Sequence, residues 1–571
     1  MIKRVPTETV ADAYLELLSS RGIDYFFGIG GTDFSPIVEA YARRQANEMP
    51  VPVPITVPHE TVGVAMAHGY TMVTGRPQVV MVHTVPGTAN AVCGVVNASR
   101  ANVPMLFTAG RSPISEGDLP GARDIDIGWA QESFDQAAMV REWVKWDYEL
   151  RIGSDVETAV DRALAIATSG PQGPVYLVLP RESLAHASEE VAYSDPPRIH
   201  AAAPTAPDRA AVRLAARKLA EARDPLLVTR ASGADPDCFA PLIELAEALA
   251  LPVVDMRSVH NGFPQDHPLH AGGNAAAYAP DADVIVALES DVPWSLKDGG
   301  PREDAFTISM GEDPLFQRYP IRGFSADLAL TGRPSLIVRA LLEEVAAIGV
   351  DEDVRRSRFA RWQAEHEKRR SLIESRALAA ARTTPIDQAW LSYCIGQALD
   401  DDTIVLNELG FDANYLTFTK PQTYFSHSPA GGLGWALGAA LGAKLATPDR
   451  TVVCGVGDGS YLFGAPASAH LASRAYDLPV LWVVFNNAHW GSVSRATDRL
   501  APNGWAASTG FRPFTDITPP LDYEMVCQAA GGYGERVSDP SELPDAIERA
   551  LNVVRTEKRQ ALLNVIAYNE P

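Results

Sequence analysis

The stretch TVVCGVGDGSYLFGAPASAHLASRAYDLPVLWVVFNNAHWG, residues 451–491, decides both the fold and the kind of site that this chain carries. An apolar strand ends in Gly457, Asp458 and Gly459, a helix of small residues follows, and a second apolar strand ends in paired asparagines. Ligands of open parallel sheets bind at the carboxyl ends of the strands, so the two polar clusters should face one crevice. The pattern predicts a parallel α/β sheet with a binding site at that edge.

The residue types of these two turns fit a magnesium ion that carries a diphosphate. Mg²⁺ binds about six oxygen ligands in an octahedron and often shares them with phosphates. Asp458 offers a carboxylate, Asn487 an amide oxygen, and the backbone carbonyl of His489 a third protein oxygen. Gly457 and Gly459 let the backbone approach a diphosphate, and the N-terminus of the following helix favours its negative charge. Either turn alone is more often an ordinary capped turn, but both in this order favour the metal site.

This arrangement resembles the metal and diphosphate signature of the thiamine-diphosphate enzymes, in which GDG is followed by a helix, a strand and NN. The spacing between the two clusters is slightly longer than is usual in that family, which predicts a short insertion around residues 464–466. Just upstream, HSPAGGLGWALGAALGAKLA (427–446) resembles the family's GG.G..LPAA.GA stretch. The resemblance implies that Leu433 supports the bent cofactor and that Ser460 joins the two glycines at the diphosphate. Plain core packing is the alternative for Leu433.

A glutamate in the first domain extends the resemblance. Glu60 lies in ITVPHETVGVAMAHGYTMVTGRP (55–77), where it follows a predicted strand and opens a helix. The segment resembles the family's HE…A.GYA..TG.P pattern, whose glutamate hydrogen-bonds the aminopyrimidine ring of the cofactor. The resemblance therefore implies that Glu60 promotes loss of the thiazolium C2 proton and formation of the ylid nucleophile. Taken alone, Glu60 would be an ordinary acid in the first turn of a helix.

Two further residues indicate a branch of the family that releases CO₂. His83, in VHTVPGTAN (82–90), falls where benzoylformate decarboxylase has a proton-relaying histidine, and Thr32 falls where that enzyme has a serine. An imidazole can return a proton to the reacting carbon and a hydroxyl can bind a carboxylate, so the pair suits decarboxylation. A buried, hydrogen-bonded histidine and a helix-capping threonine are the structural alternatives.

Another segment points towards the acetohydroxyacid synthases. GWAQESFDQAAMVREWVKWDYEL (128–150) resembles that branch's FQE.DI…..TK..Y segment, with Gln131 and Lys145 at the matching positions. Lys145 is a candidate positive site for an anionic substrate, and a solvated helix face is the alternative. Trp490, just after the asparagine pair, is a candidate to line the pocket or to be buried.

Cofactors beyond thiamine diphosphate and Mg²⁺ are not predicted. The acetohydroxyacid synthases also hold FAD in their middle domain, but the corresponding turn VTRASGADPD (228–237) lacks the usual glycine run. FAD is therefore left open without being predicted. Binding of coenzyme A is also left open, and the sequence shows no basic cluster for its phosphates in the middle domain.

Helices that alternate with short apolar strands predict three doubly wound, parallel-sheet α/β domains. The expected units are a pyrimidine-binding domain over 1–185, a middle domain over 207–348 and a diphosphate- and Mg²⁺-binding domain over 384–571. The Ala- and Pro-rich stretch 186–207 is predicted to be a linker, and the charged segment 351–382 an exposed linker helix.

Composition excludes several classes of partner. A net charge of −22 argues against nucleic acid and against an anionic membrane surface, because both would be repelled. The five cysteines are scattered and odd in number, which fits a reducing compartment. No secretory signal or membrane-spanning run is apparent, so a cytoplasmic protein is predicted.

Together the motifs predict a thiamine-diphosphate- and Mg²⁺-dependent lyase or transferase that acts on a small 2-oxo acid or aldehyde. The main hypothesis is a non-oxidative 2-oxo acid decarboxylase or carboligase, and the first alternative is an acetolactate-synthase-like carboligase. A catalytically silent cofactor-binding homologue is an alternative of another class, against which Glu60, Asp458 and Asn487 argue. The family forms its active site between the first domain of one subunit and the third of another, which implies a homodimer or homotetramer.

Overall fold

The computed structural model describes residues 1–297 and 300–567, and its main feature is three open parallel sheets. The first and third sheets have six strands each and the middle sheet has five. Every strand pair within these three sheets runs parallel. Central strands such as β4 (Val79–Val82) are apolar and buried throughout, because helices cover both faces. The predicted fold class is confirmed.

The first unit has the strand order β3-β2-β4-β5-β7-β6 and a separate two-stranded antiparallel ribbon. Its elements are β1 (Ile2–Pro6), α1 (Val10–Ser20), β2 (Tyr25–Gly28), α2 (Ser35–Ala46), β3 (Val53–Thr56), α3 (Glu60–Thr74), β4, α4 (Thr84–Arg100), β5 (Met105–Arg111), α5 (Ile127–Ala130), β6 (Asp147–Glu149), α6 (Val156–Thr168), β7 (Pro174–Pro180), α7 (Arg181–Ala185) and β8 (Glu190–Ser194).

The middle unit has the order β10-β9-β11-β12-β13 and is followed by one long, mostly exposed helix, α11. Its elements are α8 (Arg209–Glu221), β9 (Pro225–Thr229), α9 (Phe239–Leu249), β10 (Val253–Asp255), β11 (Val284–Leu288), β12 (Phe306–Gly311), β13 (Leu328–Thr331), α10 (Pro334–Ile348) and α11 (Glu352–Ala380).

The third unit has the order β15-β14-β16-β17-β19-β18. Its elements are α12 (Gln388–Ala398), β14 (Ile404–Glu408), β15 (Tyr424–Ser426), α13 (Trp435–Ala446), β16 (Val452–Gly457), α14 (Asp458–Phe463), α15 (Pro466–Ala475), β17 (Leu481–Asn486), α16 (Gly491–Leu500), α17 (Trp505–Thr509), α18 (Tyr523–Ala529), β18 (Tyr533–Val537), α19 (Leu543–Asn552) and β19 (Ala561–Ile566).

The stretch 186–207, predicted as a linker, contains a strand, and that part of the prediction is wrong. β8 pairs antiparallel with β1, so the paired structure of the first unit continues beyond residue 185. Val191 and Tyr193 are buried against α1 and its surroundings, whereas Glu190 and Ala192, before and between them, are exposed. A five-residue alternation is too short to outweigh the Ala and Pro content of the surrounding sequence.

The first and third units pack through α3 and α13, which approach unusually closely. A Cβ on Gly442 would lie 1.9 Å from the carbonyl oxygen of Met66, and one on Gly69 would lie 2.1 Å from that of Ala439. Glycine at these positions lets the two helix backbones touch, which a side chain would prevent. The N-termini of both helices carry predicted site residues, so this contact fixes where those residues stand.

Across residues 1–297 and 300–567, no helix is both long enough and apolar enough to cross a membrane.

Candidate active site

Two neighbouring strands of the third sheet bring the predicted metal ligands to the same edge. β16 ends at Gly457, β17 ends at Asn486, and the two strands are paired in parallel. Asp458 and Asn487 therefore leave the sheet side by side. Asn486 is buried and donates to Oδ1 of Asn564 at 3.0 Å, whereas Asn487 is partly exposed at the edge.

The carboxylate of Asp458 has one oxygen with a donor and one without. Oδ1 accepts from the Gly459 amide at 2.7 Å, and Oδ2 is buried with no hydrogen-bond partner among the residues described. Burial raises the pKa of Asp458 to about 6, and nearby amides, including those of Gly459, Ala488 and His489, oppose the rise. A buried carboxylate oxygen without a donor is costly, so this arrangement suits a bound cation.

The turn after β17 supplies the remaining predicted oxygens. Asn487 Oδ1 accepts from the His489 amide at 3.1 Å, and the His489 carbonyl accepts from the Gly491 amide at 2.9 Å. The imidazole of His489 is bonded through Nε2 to Ser494 Oγ at 2.5 Å. The side chain of His489 is thus held by α16, which leaves its backbone carbonyl as the predicted ligand.

Trp490 packs on the glycine turn. A Cβ on Gly459 would lie 2.1 Å from the Trp490 ring, which also contacts Phe463 at a centroid distance of 5.5 Å. The helix after Gly459 breaks between α14 and α15, where Ala465 has a φ of 47°. The break coincides with the predicted insertion at 464–466. Glycine at position 459 therefore leaves room for the Trp490 indole, in addition to letting a ligand approach the backbone.

A buried carboxylate that the sequence analysis missed caps α13 beside the predicted diphosphate site. Glu408, the last residue of β14, accepts from the amides of Gly434 (2.6 Å) and Ala436 (2.7 Å). Burial raises its pKa to about 7, and the hydroxyl of Ser460 is among the donors that oppose the rise. Leu433 precedes this capped helix and is partly exposed. The N-terminus of α13 therefore already faces a carboxyl group.

In the first unit, Glu60 begins α3 and is buried. Its Oε2 accepts from Asn90 Nδ2 at 3.3 Å, and a Cβ on Gly87 would lie 3.3 Å from its Oε1. Both neighbours belong to α4, which follows His83. The second half of the VHTVPGTAN motif thus packs against the glutamate.

His83 forms a hydrogen-bonded pair with Asp33, which the sequence analysis did not single out. His83 Nδ1 lies 2.5 Å from Asp33 Oδ1, and the Asp33 side chain is only 2% exposed. The hydrogen bond to Asp33 raises the pKa of His83 against the opposing effect of burial. Glycines make room for the pair: a Cβ on Gly31 would lie 2.1 Å from His83 Nδ1, and one on Gly110 would lie 1.7 Å from Asp33 Oδ2.

Three of the predicted substrate-side residues lie together. Thr32, His83 and Gln131 line one narrow cleft of the first unit, which also contains Arg111 and Arg181. Gln131 Oε1 accepts from the hydroxyl of Thr84, at 3.4 Å. A hydrogen bond from His83 to Gln131 also contributes to the raised pKa of His83.

Lys145 is not in this cleft. Its Nζ donates to the Ser169 carbonyl at 2.5 Å, on the side of the first unit that faces Glu312 of the middle unit. Burial lowers its pKa to about 8. The lysine is committed to a backbone carbonyl between two units, so the structure does not join it to Gln131 as the sequence resemblance suggested.

Family comparisons match most of the first unit and most of the third. The family description "Thiamine pyrophosphate enzyme, N-terminal TPP binding domain" matches residues 8–139, and "Thiamine pyrophosphate enzyme, C-terminal TPP binding domain" matches residues 410–565. The chain belongs to the thiamine pyrophosphate enzyme family. The family predicted from the GDG, NN and HE motifs is confirmed.

Individual relatives of this thiamine pyrophosphate enzyme match nearly end to end at low identity. A sulfoacetaldehyde acetyltransferase of Rhodobacter capsulatus is 27% identical over 95% of this chain and 92% of its own length. A benzoylformate decarboxylase of Pseudomonas aeruginosa is 27% identical over 95% and 97%, respectively. The solved structure of a thiamine diphosphate-dependent 4-hydroxybenzoylformate decarboxylase from Rhodococcus jostii RHA1 superposes with a TM-score of 0.77 at 22% identity, covering 98% of this chain and 99% of that one, and shows the shared fold.

The residues of the third unit fit the diphosphate and metal of a thiamine pyrophosphate enzyme. Asp458 Oδ2 is a buried acceptor without a donor, and the Asn487 side chain stands beside it at the same sheet edge. One carboxylate, one amide and backbone carbonyls are hard oxygen donors of the kind that Mg²⁺ prefers. No hydrogen bond or ion pair within the described ranges joins these residues to Glu60 or His83.

The residue that sequence reasoning missed in the first half-site, Asp33, had one readable signal. It directly follows Thr32 in the glycine turn after β2, at the carboxyl edge of the sheet where ligands bind. His83 comes from the turn after β4, the neighbour of β2 in the sheet. Adjacent strand ends were used to pair Asp458 with Asn487, and the same argument pairs Asp33 with His83.

Proposed function

We propose that this chain is a thiamine-diphosphate- and Mg²⁺-dependent, non-oxidative 2-oxo acid decarboxylase or carboligase. The His83–Asp33 pair carries the proposal, because it places a histidine hydrogen-bonded to a buried carboxylate in the unit that also holds Glu60. A general acid with a pKa near the working pH contributes about 10²- to 10⁴-fold to proton transfer. The benzoylformate decarboxylase among the relatives is consistent with this chemistry.

The roles in the third unit follow from the donor types. The Asp458 carboxylate, the Asn487 amide oxygen and the His489 carbonyl hold Mg²⁺. Gly457, Gly459 and Ser460 would hold the diphosphate, and Leu433 would pack against the cofactor. When bound, thiamine diphosphate supplies the carbanion chemistry at its C2 carbon.

The roles in the first unit concern protons and the substrate carboxylate. Glu60 hydrogen-bonds the aminopyrimidine of the cofactor. Asp33 holds Nδ1 of His83, so Nε2 is the nitrogen that gives a proton to the product, and Gln131 helps to orient the ring. The hydroxyl of Thr32, in the same cleft, receives the carboxylate of the 2-oxo acid.

The two half-sites come together between subunits, as homodimers or homotetramers, with the first unit of one chain facing the third unit of another. In this assembly the first unit of one chain supplies Glu60, and the third unit of another supplies Asp458, whose buried Oδ2 has no hydrogen-bond partner among the residues described. FAD is not part of this proposal, because the turn at 228–237 lacks the glycine run of the family's FAD-binding members.

An acetolactate-synthase-like carboligase is the second candidate, and the position of Gln131 beside His83 favours it. The two functions differ in what the acyl group meets after CO₂ leaves: a proton gives an aldehyde, and a second 2-oxo acid gives an acetohydroxyacid. Product analysis with a single 2-oxo acid, and then with a pair, separates them.

The deciding experiment is calorimetric titration of the metal-free protein with thiamine diphosphate, with and without Mg²⁺, followed by CO₂ release from a panel of 2-oxo acids. Wild type should bind only with Mg²⁺, Asp458→Ala should not bind, and the exposed Asp401→Ala should behave as wild type. Binding without turnover, together with C2 hydrogen exchange no faster than in free cofactor, identifies a catalytically silent homologue. Mg²⁺-independent binding overturns the assignment of Asp458.

A further inference from the structure

A large cavity lies where the middle unit, α11 and the carboxyl edge of the third sheet meet. Its volume is about 670 Å³, and its charged wall contains six arginines and two aspartates. The arginines are Arg230, Arg257, Arg369, Arg370, Arg495 and Arg499, and the aspartates are Asp255 and Asp412. Although the chain has a net charge of −22, arginines outnumber aspartates in this wall.

Most of these guanidinium groups have no carboxylate partner. Arg230 is paired with Asp291 at 2.9 Å, but Arg369 donates to the His270 carbonyl (2.7 Å) and Arg370 to a threonine hydroxyl. Within the described ranges, Arg257, Arg495 and Arg499 form no ion pair at all. The side chains of these three arginines are exposed, and positive charge that the protein leaves uncompensated around a cavity attracts an anion.

Arg495 and Arg499 stand four residues apart on α16, so they project from the same face of that helix. Arg257 faces the cavity from the loop after β10. Three guanidinium groups, one from the middle unit and two from the third unit, thus line the same cavity. Arginine forks bind carboxylate, phosphonate or sulfonate oxygens through two parallel hydrogen bonds, which gives direction as well as affinity.

Two buried polar atoms of the wall also lack partners. His270 Nε2 and Asp255 Oδ1 have no hydrogen bond among the residues described, and both side chains are more than nine-tenths buried. Burial raises the pKa of Asp255 to about 7, so its carboxyl can carry a proton and donate it. The other aspartate, Asp412, accepts two hydrogen bonds from Asn414, both through Oδ1.

The cavity adjoins the edge that holds the predicted metal ligands. Leu409, in its wall, pairs with Val456 and lies within 4 Å of where a Cβ of Gly457 would stand. α16, which carries two of the arginines, begins directly after Trp490. A ligand anchored in the cavity is therefore close to the third unit's half of the candidate active site.

We propose that this cavity binds a distal anionic group of the substrate, so that the preferred substrate is a 2-oxo acid with a second negatively charged group. That the anionic group belongs to a substrate rests on the proposed function, whereas the binding of an anion in this cavity does not. Arg257 and Arg495 are the specificity-determining residues. The shared chemistry is an oxyanion, which an organic dianion or free inorganic phosphate can supply, and the experiment separates these two sources.

The first test compares matched substrates on the holoenzyme. 2-Oxoglutarate and 2-oxopentanoate have the same chain length and differ by one carboxylate, so wild type should show at least a tenfold higher kcat/KM for the former. Arg257→Gln and Arg495→Gln should each reduce that preference by about tenfold or more, since each removes a charge-assisted bond. Arg495→Lys should be intermediate. Arg213→Gln, an exposed arginine of α8 outside the cavity, is the matched control and should keep the preference.

The second test needs no turnover. Calorimetry on the holoprotein measures binding of glutarate, pentanoate and inorganic phosphate to wild type and to the Arg257→Gln, Arg495→Gln double variant. Glutarate binding that is at least tenfold tighter than pentanoate binding, and lost in the double variant, supports the proposal even if no 2-oxo acid is decarboxylated. Equal binding of the two acids, or binding that the substitutions do not change, overturns it. Arginine-dependent binding of phosphate alone reveals a free-anion site and overturns the assignment to substrate.

Discussion

The substitution Asp33→Asn should lower the pKa of His83 without changing the shape of the cleft. Asparagine is isosteric with aspartate but neutral, so the 2.5 Å bond between His83 Nδ1 and Asp33 Oδ1 loses its ionic partner. A hydrogen bond to a charged group contributes about 1.5–3 kcal/mol, and about 1.4 kcal/mol corresponds to a factor of ten in rate. The variant should therefore lose about tenfold to a hundredfold in kcat for CO₂ release.

The raised pKa of His83 determines the direction in which the pH–rate profile of the variant should move. Asp33 raises the pKa of His83 above the reference value of 6.5, so the charged imidazole persists to higher pH in wild type. The stability that the pair contributes is fully present below the unfolded pKa and is lost as pH rises through the folded pKa. In Asp33→Asn the alkaline limb of the pH–rate profile should move to lower pH, and this pH-dependent stability should disappear.

The assay is a histidine proton NMR titration, with the His83 signal assigned by its loss in His83→Asn, alongside pH–rate profiles. Asp161→Asn removes another buried carboxylate, which pairs with Arg21 away from the cleft, and serves as the control. An unchanged His83 titration in Asp33→Asn would refute the reasoning. An equal loss of activity in Asp161→Asn would also refute it, because the effect would then be general.

Three further predictions concern the third unit and its packing. Asp458→Asn should stabilise the metal-free protein by up to about 3 kcal/mol at pH 7, as measured by urea unfolding. The pKa of this buried acid is raised to about 6 from 3.8, so the free-energy cost of its ionisation in the folded protein grows as pH rises between those values. A pH dependence of stability that is the same in the variant and in wild type contradicts the prediction. Gly459→Ala should lower the free energy of unfolding by about 1–3 kcal/mol and shift the fluorescence emission of Trp490, because the added carbon would lie 2.1 Å from its ring. In the control variant Gly457→Ala the added carbon meets nothing closer than 3.7 Å, so its loss of stability should be small. Similar losses of stability in both variants contradict this packing. Gly442→Ala should lower the thermal midpoint by separating α13 from α3, with the same approximate cost of 1–3 kcal/mol, and an unchanged midpoint means that the helices do not touch there.

The two strand ends that carry Asp458 and Asn487 could be placed from the sequence because they are close in the chain. Gly457 and Asn487 belong to one strand–helix–strand repeat, so a single pattern specified both strand ends and the crevice between them. Even the irregularity near residue 465 was readable from the spacing, and the structure has a helix break there. Local periodicity and turn chemistry contain this information without any knowledge of the tertiary contacts.

Contacts between distant segments were harder to predict. His83 and Asp33 are fifty residues apart and meet only because β4 lies beside β2. Lys145 had the right spacing for its resemblance, yet the edge position of β6 turns it towards Ser169. The arginine cavity draws its walls from three parts of the chain, and no single stretch of sequence shows the cluster.

The cleft of the first unit and the arginine-lined cavity have different roles in the proposed reaction. In the first unit's cleft, every cation described has a carboxylate partner: Arg111 pairs with Glu132 and Glu149, Arg181 with Asp124, and His83 with Asp33. A carboxylate placed there gains little net attraction, so the group that must leave as CO₂ is not held tightly in the ground state. The unpaired arginines of the other cavity supply affinity at the far end of the substrate instead. Binding energy from a part of the substrate that does not react can then offset the cost of placing the reacting carboxylate in a weakly attractive cleft, which favours kcat over tight binding.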